Sequence, residues 1–507
     1  METQYSFTES EQKFHEMTTF LQSNEAKGLD LSRLEGFLFQ EGRDLFRRLL
    51  RAHLSERGPG DIGESVVGAD GIHRSHKRLR NRTIITVFGP IVIQRIGYSK
   101  PYTSSLFPLD AMLNLPAHKI SYTLQKHFLL EVIDHSFHKS AQSIQRWTGV
   151  TITNRQAQSI ILNASEEFTN FYDLRVMQEA DDACKLPLLI LTSDGKGVFV
   201  KTDDLRPATK QKALRKSVSK MERIVQANHS FSKRIATVAS VYEIDRYIRQ
   251  PCDIAADFFT RNGTAAIHDP RPKPYAKRVW AELKEPGKVV IEAIFQEAAH
   301  RDRHRHKEWV VLVDGDLNQI RQFRRVSQKF GVSPTIVCDC IHVLRYLWKA
   351  GKALESQENV TQWVYHKFQE ILNGKARRVA AGMRRWATRR HLSESVREPI
   401  DHCARYLVNH SPYMAYHEYL KKGYPIATGV IEGTCRYLVK DRMEITGARW
   451  GLKGAEALLK LRAIQTSGDF EDYWKFYETK QYEKNYKILY KNPDVLQPKK
   501  ALNRPST

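Results

Sequence analysis

The sequence predicts a mixed α/β core flanked by helical segments, on three observations. Short apolar, β-branched runs lead into an aspartate three times: residues 188–191 run toward Asp194, residues 309–313 into Asp314 and residues 335–337 toward Asp339. Between the last two, Leu317, Ile320, Phe323 and Val326 recur at helical spacing, so strand and helix alternate as in a parallel β-α-β unit. The segments before residue 186 and after Asp339 carry helical periodicity instead. At 507 residues the chain is too long for one ordinary core, and several structural units are expected.

Composition narrows the partner. The chain holds 80 Lys and Arg against 57 Asp and Glu, a formal net charge of +23. This favours a polyanion, with nucleic acid the commonest and an anionic membrane surface the competitor. No uninterrupted apolar run is long enough to span a bilayer, and the polar start Met-Glu-Thr-Gln-Tyr-Ser is no signal sequence. A soluble intracellular protein is the expectation. The six cysteines, Cys184, Cys252, Cys338, Cys340, Cys403 and Cys435, are sparse and scattered, which points to reduced, buried thiols rather than a disulfide framework or a paired-CxxC zinc site.

Taken in order, residues 1–60 read as helical: Leu45, Phe46, Leu49, Leu50 and Leu54 recur among arginines before Gly58-Pro59-Gly60 closes the segment. Residues 61–120 contain two β-branched runs around Gly89-Pro90, the pattern of a hairpin, preceded by the basic run His73-Arg-Ser-His-Lys-Arg-Leu-Arg-Asn-Arg82. That run fits a solvated loop and a phosphate contact equally well. Residues 121–185 are helical and include a helix-turn-helix pattern. Ala141, Ile144 and Trp147 would pack its first helix, Gly149 would make the turn, and Thr153 would cap a second helix carrying Asn154, Arg155 and Gln158. Arg146 and Arg155 are its candidate DNA contacts, with helix packing alone as the competing account.

Residues 186–350 form the first part of the α/β core, including a strand at 234–242 and an ambiguous apolar run from Val289. Residues 351–424 are helical and basic, with Arg377, Arg378, Arg384, Arg385, Arg389 and Arg390 in pairs and Val379, Met383 and Trp386 as a packing stripe. A clamp on DNA phosphates and a solvated surface helix both fit. Residues 425–465 would return to the core with Glu432, and the aromatic, lysine-rich tail 466–507 reads as a packed final helix rather than a base-stacking surface.

Asp194 and Asp314 each follow an apolar run and precede a glycine, as an acid projecting from a sheet edge would. One Asp-Gly is most simply a turn, whereas two at equivalent strand ends suggest a site. Glu432, in Gly429-Val-Ile-Glu-Gly433, is less obvious locally, but the basic stretch Cys435-Arg-Tyr-Leu-Val-Lys-Asp-Arg442 follows it. Carboxylates from separate elements can hold two magnesium ions about 4 Å apart, which activate an oxygen nucleophile and relieve charge on a leaving oxygen. Asp339 also ends a strand and competes with Asp314 as second ligand; Asp316 has no assigned role.

The ordered blocks Ser193-Asp-Gly-Lys-Gly197, Val313-Asp-Gly-Asp316, Asp339-Cys-Ile-His342 with Leu344-Arg-Tyr-Leu-Trp348, and Gly429-Val-Ile-Glu-Gly-Thr-Cys-Arg436 through Asp441-Arg-Met-Glu-Ile-Thr-Gly-Ala-Arg-Trp450 resemble insertion-sequence transposases of the Kra type. These are bacterial relatives of the Mutator-like DDE transposases. The resemblance extends from Pro108-Leu-Asp110 and Leu113-Asn-Leu-Pro116 to Gly454-Ala-Glu-Ala-Leu-Leu459. It implies an RNase H-like catalytic core with an α-helical insertion, preceded by a mostly helical region with a β-hairpin. It further implies Mg2+-dependent strand cleavage and transfer at terminal inverted repeats, with two ions and Mn2+ as a substitute. By position, Asp194, Asp314 and Glu432 match the metal-binding acids, and Asp339 with His342 matches the family's Cys/Asp-x-x-His pair. Asp339 would orient His342, which would contact the scissile phosphate or leaving oxygen; a histidine that merely packs its helix is the alternative. Double-stranded DNA, a homo-oligomer in the active complex, no membrane, and a bacterial cytoplasmic, nucleoid-associated location complete the expectation. An RNase H-like nuclease or resolvase and a non-catalytic, domesticated DNA-binding protein are the competing functions.

Overall fold

The computed structural model describes residues 6–178, 186–215, 233–259 and 270–492. The chain divides into two compact units, one of residues 1–171 with 470–507, the other of residues 172–469.

In the first unit, α1 (Phe7–Gln22) is followed by the 26-residue α2 (Leu31–Glu56), where Asp30 caps by accepting the Arg33 amide at 2.9 Å. The helix stops before Gly58, which takes a left-handed φ of +82°. Two-residue strands β1 (Val66–Val67) and β2 (His73–Arg74) pair with each other, and an antiparallel hairpin follows in β3 (His76–Thr86) and β4 (Gly89–Ser99).

The hairpin corrects two expectations. The turn falls at Val87-Phe88, with Thr86 opposite Gly89, so Gly89-Pro90 opens the second strand instead. Proline is tolerated there because a two-stranded ribbon has only edges. The basic run is not a loop: residues 76–82 extend β3, their side chains alternating across its two faces. Beside the hairpin's turn Ile84, Ile91 and Ile93 pack with Leu109 and Leu115, joined by Leu50 and Leu54 of α2.

Helix α3 (Tyr122–Asp134) precedes the helix-turn-helix pair α4 (Phe137–Thr148) and α5 (Asn154–Ser165). Gly149 makes the turn at φ +71°, and Thr153 with Gln156 forms a reciprocal capping box. Trp147 departs from the expected stripe: 65% exposed, it meets the ring of Phe39 edge-on at 5.9 Å, while Ser140, Ser143 and Ile144 form the buried face. The tail forms a helix, Phe470–Asn485, burying Tyr473, Trp474 and Tyr477, with Lys126–Glu471 and Lys484–Glu166 ion pairs at its surface.

The second unit is a mixed α/β structure. Its five-stranded sheet runs β7-β6-β5-β8-β9, from β5 (Leu188–Phe199), β6 (Lys233–Ile244), β7 (Tyr275–Glu282), β8 (Glu308–Val313) and β9 (Thr335–Cys338). β5, β6 and β7 are antiparallel neighbours, whereas β8 and β9 run parallel to β5. Leu188, Leu189, Ile190, Leu191, Val310, Val311 and Val313 are fully buried, as strands covered on both faces require.

The sequence reading missed β7, whose Tyr-Ala-Lys-Arg start is too polar and exposed to look like a strand; only its edge position makes that composition tolerable. The ambiguous run from Val289 is helical, α6 (Gly287–Arg301), burying Val290, Ile291, Ile294, Phe295 and Ala298. α7 (Leu317–Lys329) links β8 to β9, α8 (Cys340–Leu354) follows β9, and the helical region continues with α9 (Val360–Leu372), α10 (Ala376–Arg389) and α11 (Glu394–His410). Cys338, Cys340, Cys403 and Cys435 are buried and unbridged, Cys252 is exposed, and Cys184 lies outside the described residues. Among the described residues no helix is long and apolar enough to cross a membrane.

Candidate metal centre

Strand register places three aspartates in one row. β5 and β8 pair through Thr192 and Leu312, so Asp194 and Asp314 each lie two residues further on; β8 and β9 pair through Val313 and Cys338, so Asp314 and Asp339 each lie one further. The row crosses the ends of three adjacent parallel strands, where open α/β sheets present their sites. Asp194 is not at the end of its own strand, because β5 continues to Phe199 against β6. It is the parallel neighbour that stops, which uncovers the carboxylate.

Each acid has distinct support. Asp194 Oδ1 accepts the Gly195 amide at 2.6 Å, and the Cys435 thiol donates to Oδ2 at 3.5 Å. Burial, then repulsion from Asp314, raises its pKa above the usual carboxylate range. Its neighbour Ser193 receives two hydrogen bonds from Gln319 of α7, at 2.8 and 2.9 Å, which fix the strand locally.

Asp314 sits on a turn held by the helical region. The Tyr406 hydroxyl of α11 donates to the Asp314 carbonyl at 3.0 Å, and His410 Nε2 bonds the Gly315 carbonyl at 2.7 Å. Gly315 is required here: its φ is +102°, and a Cβ would lie 2.5 Å from the Tyr406 hydroxyl. Asp316 has a structural task, capping α7 by accepting the Asn318 amide at 2.8 Å.

Asp339 is fully buried and its carboxylate is saturated. Oδ1 accepts the Ile341 amide at 2.9 Å and the Thr428 amide at 3.4 Å; Oδ2 accepts His342 Nδ1 at 3.0 Å and the Thr428 hydroxyl at 2.8 Å. With Nδ1 so engaged, His342 keeps Nε2 for other contacts. The Asp339 hydrogen bond, helped by the charges of Asp339 and Asp314 and opposed by burial, raises the His342 pKa.

Glu432 lies in the short helix Gly429–Thr434, half-buried, and Arg345 of α8 approaches it at 3.3 Å. The π-helical turn Cys435–Lys440 continues that helix and brings Cys435 to Asp194.

Asp339, His342 and Glu432 offer ligand atoms within 4.8 Å of one another and could hold a metal ion. Among the described residues it is the one group of three or more such side chains that close together, and it differs from the acid set Asp194, Asp314 and Glu432 expected from sequence. Glu432 is paired with Arg345 at 3.3 Å, and Asp194 and Asp314 repel each other. Asp339 also orients His342 through its Oδ2, and Asp194 and Asp314 stand outside this group. Sequence reasoning missed Arg345, Tyr406, His410, Thr428 and Cys435. Arg345 was within reach of it, one helical turn beyond His342; the others act through contacts that no local pattern encodes.

The candidate DNA contacts are solvent-facing. Arg146 on α4 and Arg155 on α5 are exposed in the first unit. On α10 in the second unit, Arg377, Arg378, Arg384 and Arg385 are exposed above the buried Val379 and Met383. Arg377 donates to Ser411 at 2.9 Å and Arg384 approaches Asp401 at 3.7 Å, whereas Trp386 is half-buried beneath Arg390 at 3.4 Å. The sequence matches no protein-family model and no curated protein.

Proposed function

We propose that this chain is a DDE transposase of the Kra type, cleaving and transferring DNA strands at the terminal inverted repeats of a bacterial insertion sequence. The observation that carries the reading is the aspartate row on a sheet of order β7-β6-β5-β8-β9, with antiparallel β6 and β7 on one side of β5 and parallel β8 and β9 on the other. An RNase H-like core would have that order, and the helices between β9 and Glu432 would then be its insertion.

The donor set suits a hard divalent ion, since Asp194, Asp314 and Glu432 offer carboxylate oxygens from three separate elements. Bound magnesium, or manganese in its place, would activate the attacking oxygen and neutralise charge at the leaving one. Asp194 and Asp314 would hold it from the rigid sheet, and Glu432 would close the site after release from Arg345. His342, its Nδ1 fixed by Asp339, would direct Nε2–H toward the scissile phosphate, and Arg345 would then be free for a phosphate oxygen. Double-stranded DNA is the partner, and a homo-oligomer is the working form.

The test is cleavage of a duplex carrying the element's end, with and without Mg2+, by the parent and by Asp194→Asn, Asp314→Asn and Glu432→Gln. Each variant should lose at least a thousandfold in cleavage while binding the end normally. Metal-dependent cleavage retained in all three would sink the proposal.

A further inference from the structure

The hairpin β3–β4 carries a charge pattern that folding uses only in part. Antiparallel partners share a face, so His76, Arg78, Arg80 and Arg82 of β3 lie beside Ser99, Gly97, Arg95 and Ile93 of β4. That face holds four arginines. Asp110, 3% exposed, takes Arg82 at 2.6 Å and also Arg95, whose guanidinium stacks on Phe107 at 3.7 Å. Among the described residues Arg78 donates to His76 alone, at 2.9 Å, and Arg80 lies directly opposite Arg95. Like charges opposed across strands are destabilising. No acidic partner faces Arg78 or Arg80 among the described residues.

The ribbon's shape is equally uneven. β4 is buried at Ile91, Ile93, Gly97 and Tyr98, whereas residues 76–81 of β3 are all exposed. Among the described residues β3 pairs in its sheet with β4 alone, so its outer edge is open along the basic stretch. Same-face residues two apart on a strand are separated by about 7 Å. A two-stranded ribbon of this width is an element the DNA major groove admits.

We propose that the exposed half of β3 is a duplex-DNA docking element, in which Arg78 and Arg80, with His76 beside them, contact phosphates. This rests on the transposase reading for the partner's identity, but not on the metal centre. The contacts are to backbone charge, so they add affinity and register rather than sequence preference. A cationic edge that serves only to block strand-to-strand aggregation is the rival account.

The experiment uses the full chain and a 30-base-pair fluorescent duplex in EDTA, read by anisotropy across a salt series. Arg78→Ala/Arg80→Ala should weaken binding about tenfold or more near 0.1 M salt and lower the slope of log K against log salt by about 1.8, two phosphates' worth. Arg78→Lys/Arg80→Lys should restore most of that slope, which a purely structural defect would not. Unchanged affinity and slope, with or without new aggregation by light scattering, would overturn the inference, as would an effect seen on anionic phosphatidylserine vesicles and not on duplex. If the double alanine variant binds normally while the parent still cleaves element ends, only the ribbon inference falls. A parent that binds no duplex at all would remove both.

Discussion

Asp339 shows how one buried side chain can set the chemistry of another. Replacing it by Asn keeps the volume and removes the charge that raises the His342 pKa. In metal-free Asp339→Asn, NMR titration should find His342 shifted down toward the ordinary imidazole value of about 6.5. The sign is fixed by linkage: a raised histidine pKa contributes stability that is fully present below the unfolded value and lost as pH rises through the folded one. The Asn variant should therefore show a flatter loss of stability through that window, and an unmoved titration would mean that Asp339 does not control the ring. Gly315 makes the companion case. Gly315→Ala meets both a positive φ and the Tyr406 hydroxyl, so it should cost at least about 1–2 kcal/mol in urea melts. Parent-like stability would show that the turn carrying Asp314 is not held as described.

At the scale of elements, a buried charge cluster joins α6 to β7. Glu297 of α6 lies between Arg301 of its own helix and Arg278 of β7, with the Arg301 contact at 2.7 Å. Burial pushes this carboxyl up, but the two guanidiniums outweigh it and hold its pKa down to about 2. A depressed carboxyl pKa contributes stability present above about 4.3, the unfolded value, and lost as pH falls toward 2. Glu297→Gln should cost about 3 kcal/mol at neutral pH and remove that acid-side slope; urea melts from pH 7 to 3 would show a slope as steep as the parent's if the pairing were unimportant. If α10 grips DNA as the proposed function requires, replacing Arg377, Arg378, Arg384 and Arg385 with Ala should lower affinity for cognate and unrelated DNA alike, roughly severalfold at about 0.1 M salt, leaving their ratio unchanged. Equal binding by a folded variant would return the helix to a packing role, in which Val379 and Met383 already serve.

For the molecule as a whole, the proposed transposase activity predicts a division of labour between recognition and chemistry. Arg146→Ala/Arg155→Ala should weaken binding to element ends and reduce its salt dependence, yet leave metal binding at the acids untouched; calorimetry with Mn2+ would read the second property separately. Much of this organisation was legible in the chain. Apolar runs meeting Asp194, Asp314 and Asp339 marked three strands because buried parallel strands must be continuously apolar, and Gly149 with Thr153 marked the α4–α5 turn because positive φ and amide capping select few residue types. Those are local requirements, so sequence alone determined them, together with the net charge. Tertiary structure alone decided the rest: that β7 is a strand, that Trp147 faces outward, that Tyr406 and His410 hold the Asp314 turn, and that Asp339 is saturated while Glu432 leans on Arg345. Each depends on a partner distant in the chain, and which partner satisfies a hydrogen bond or shields a charge is set only when folding brings the elements together.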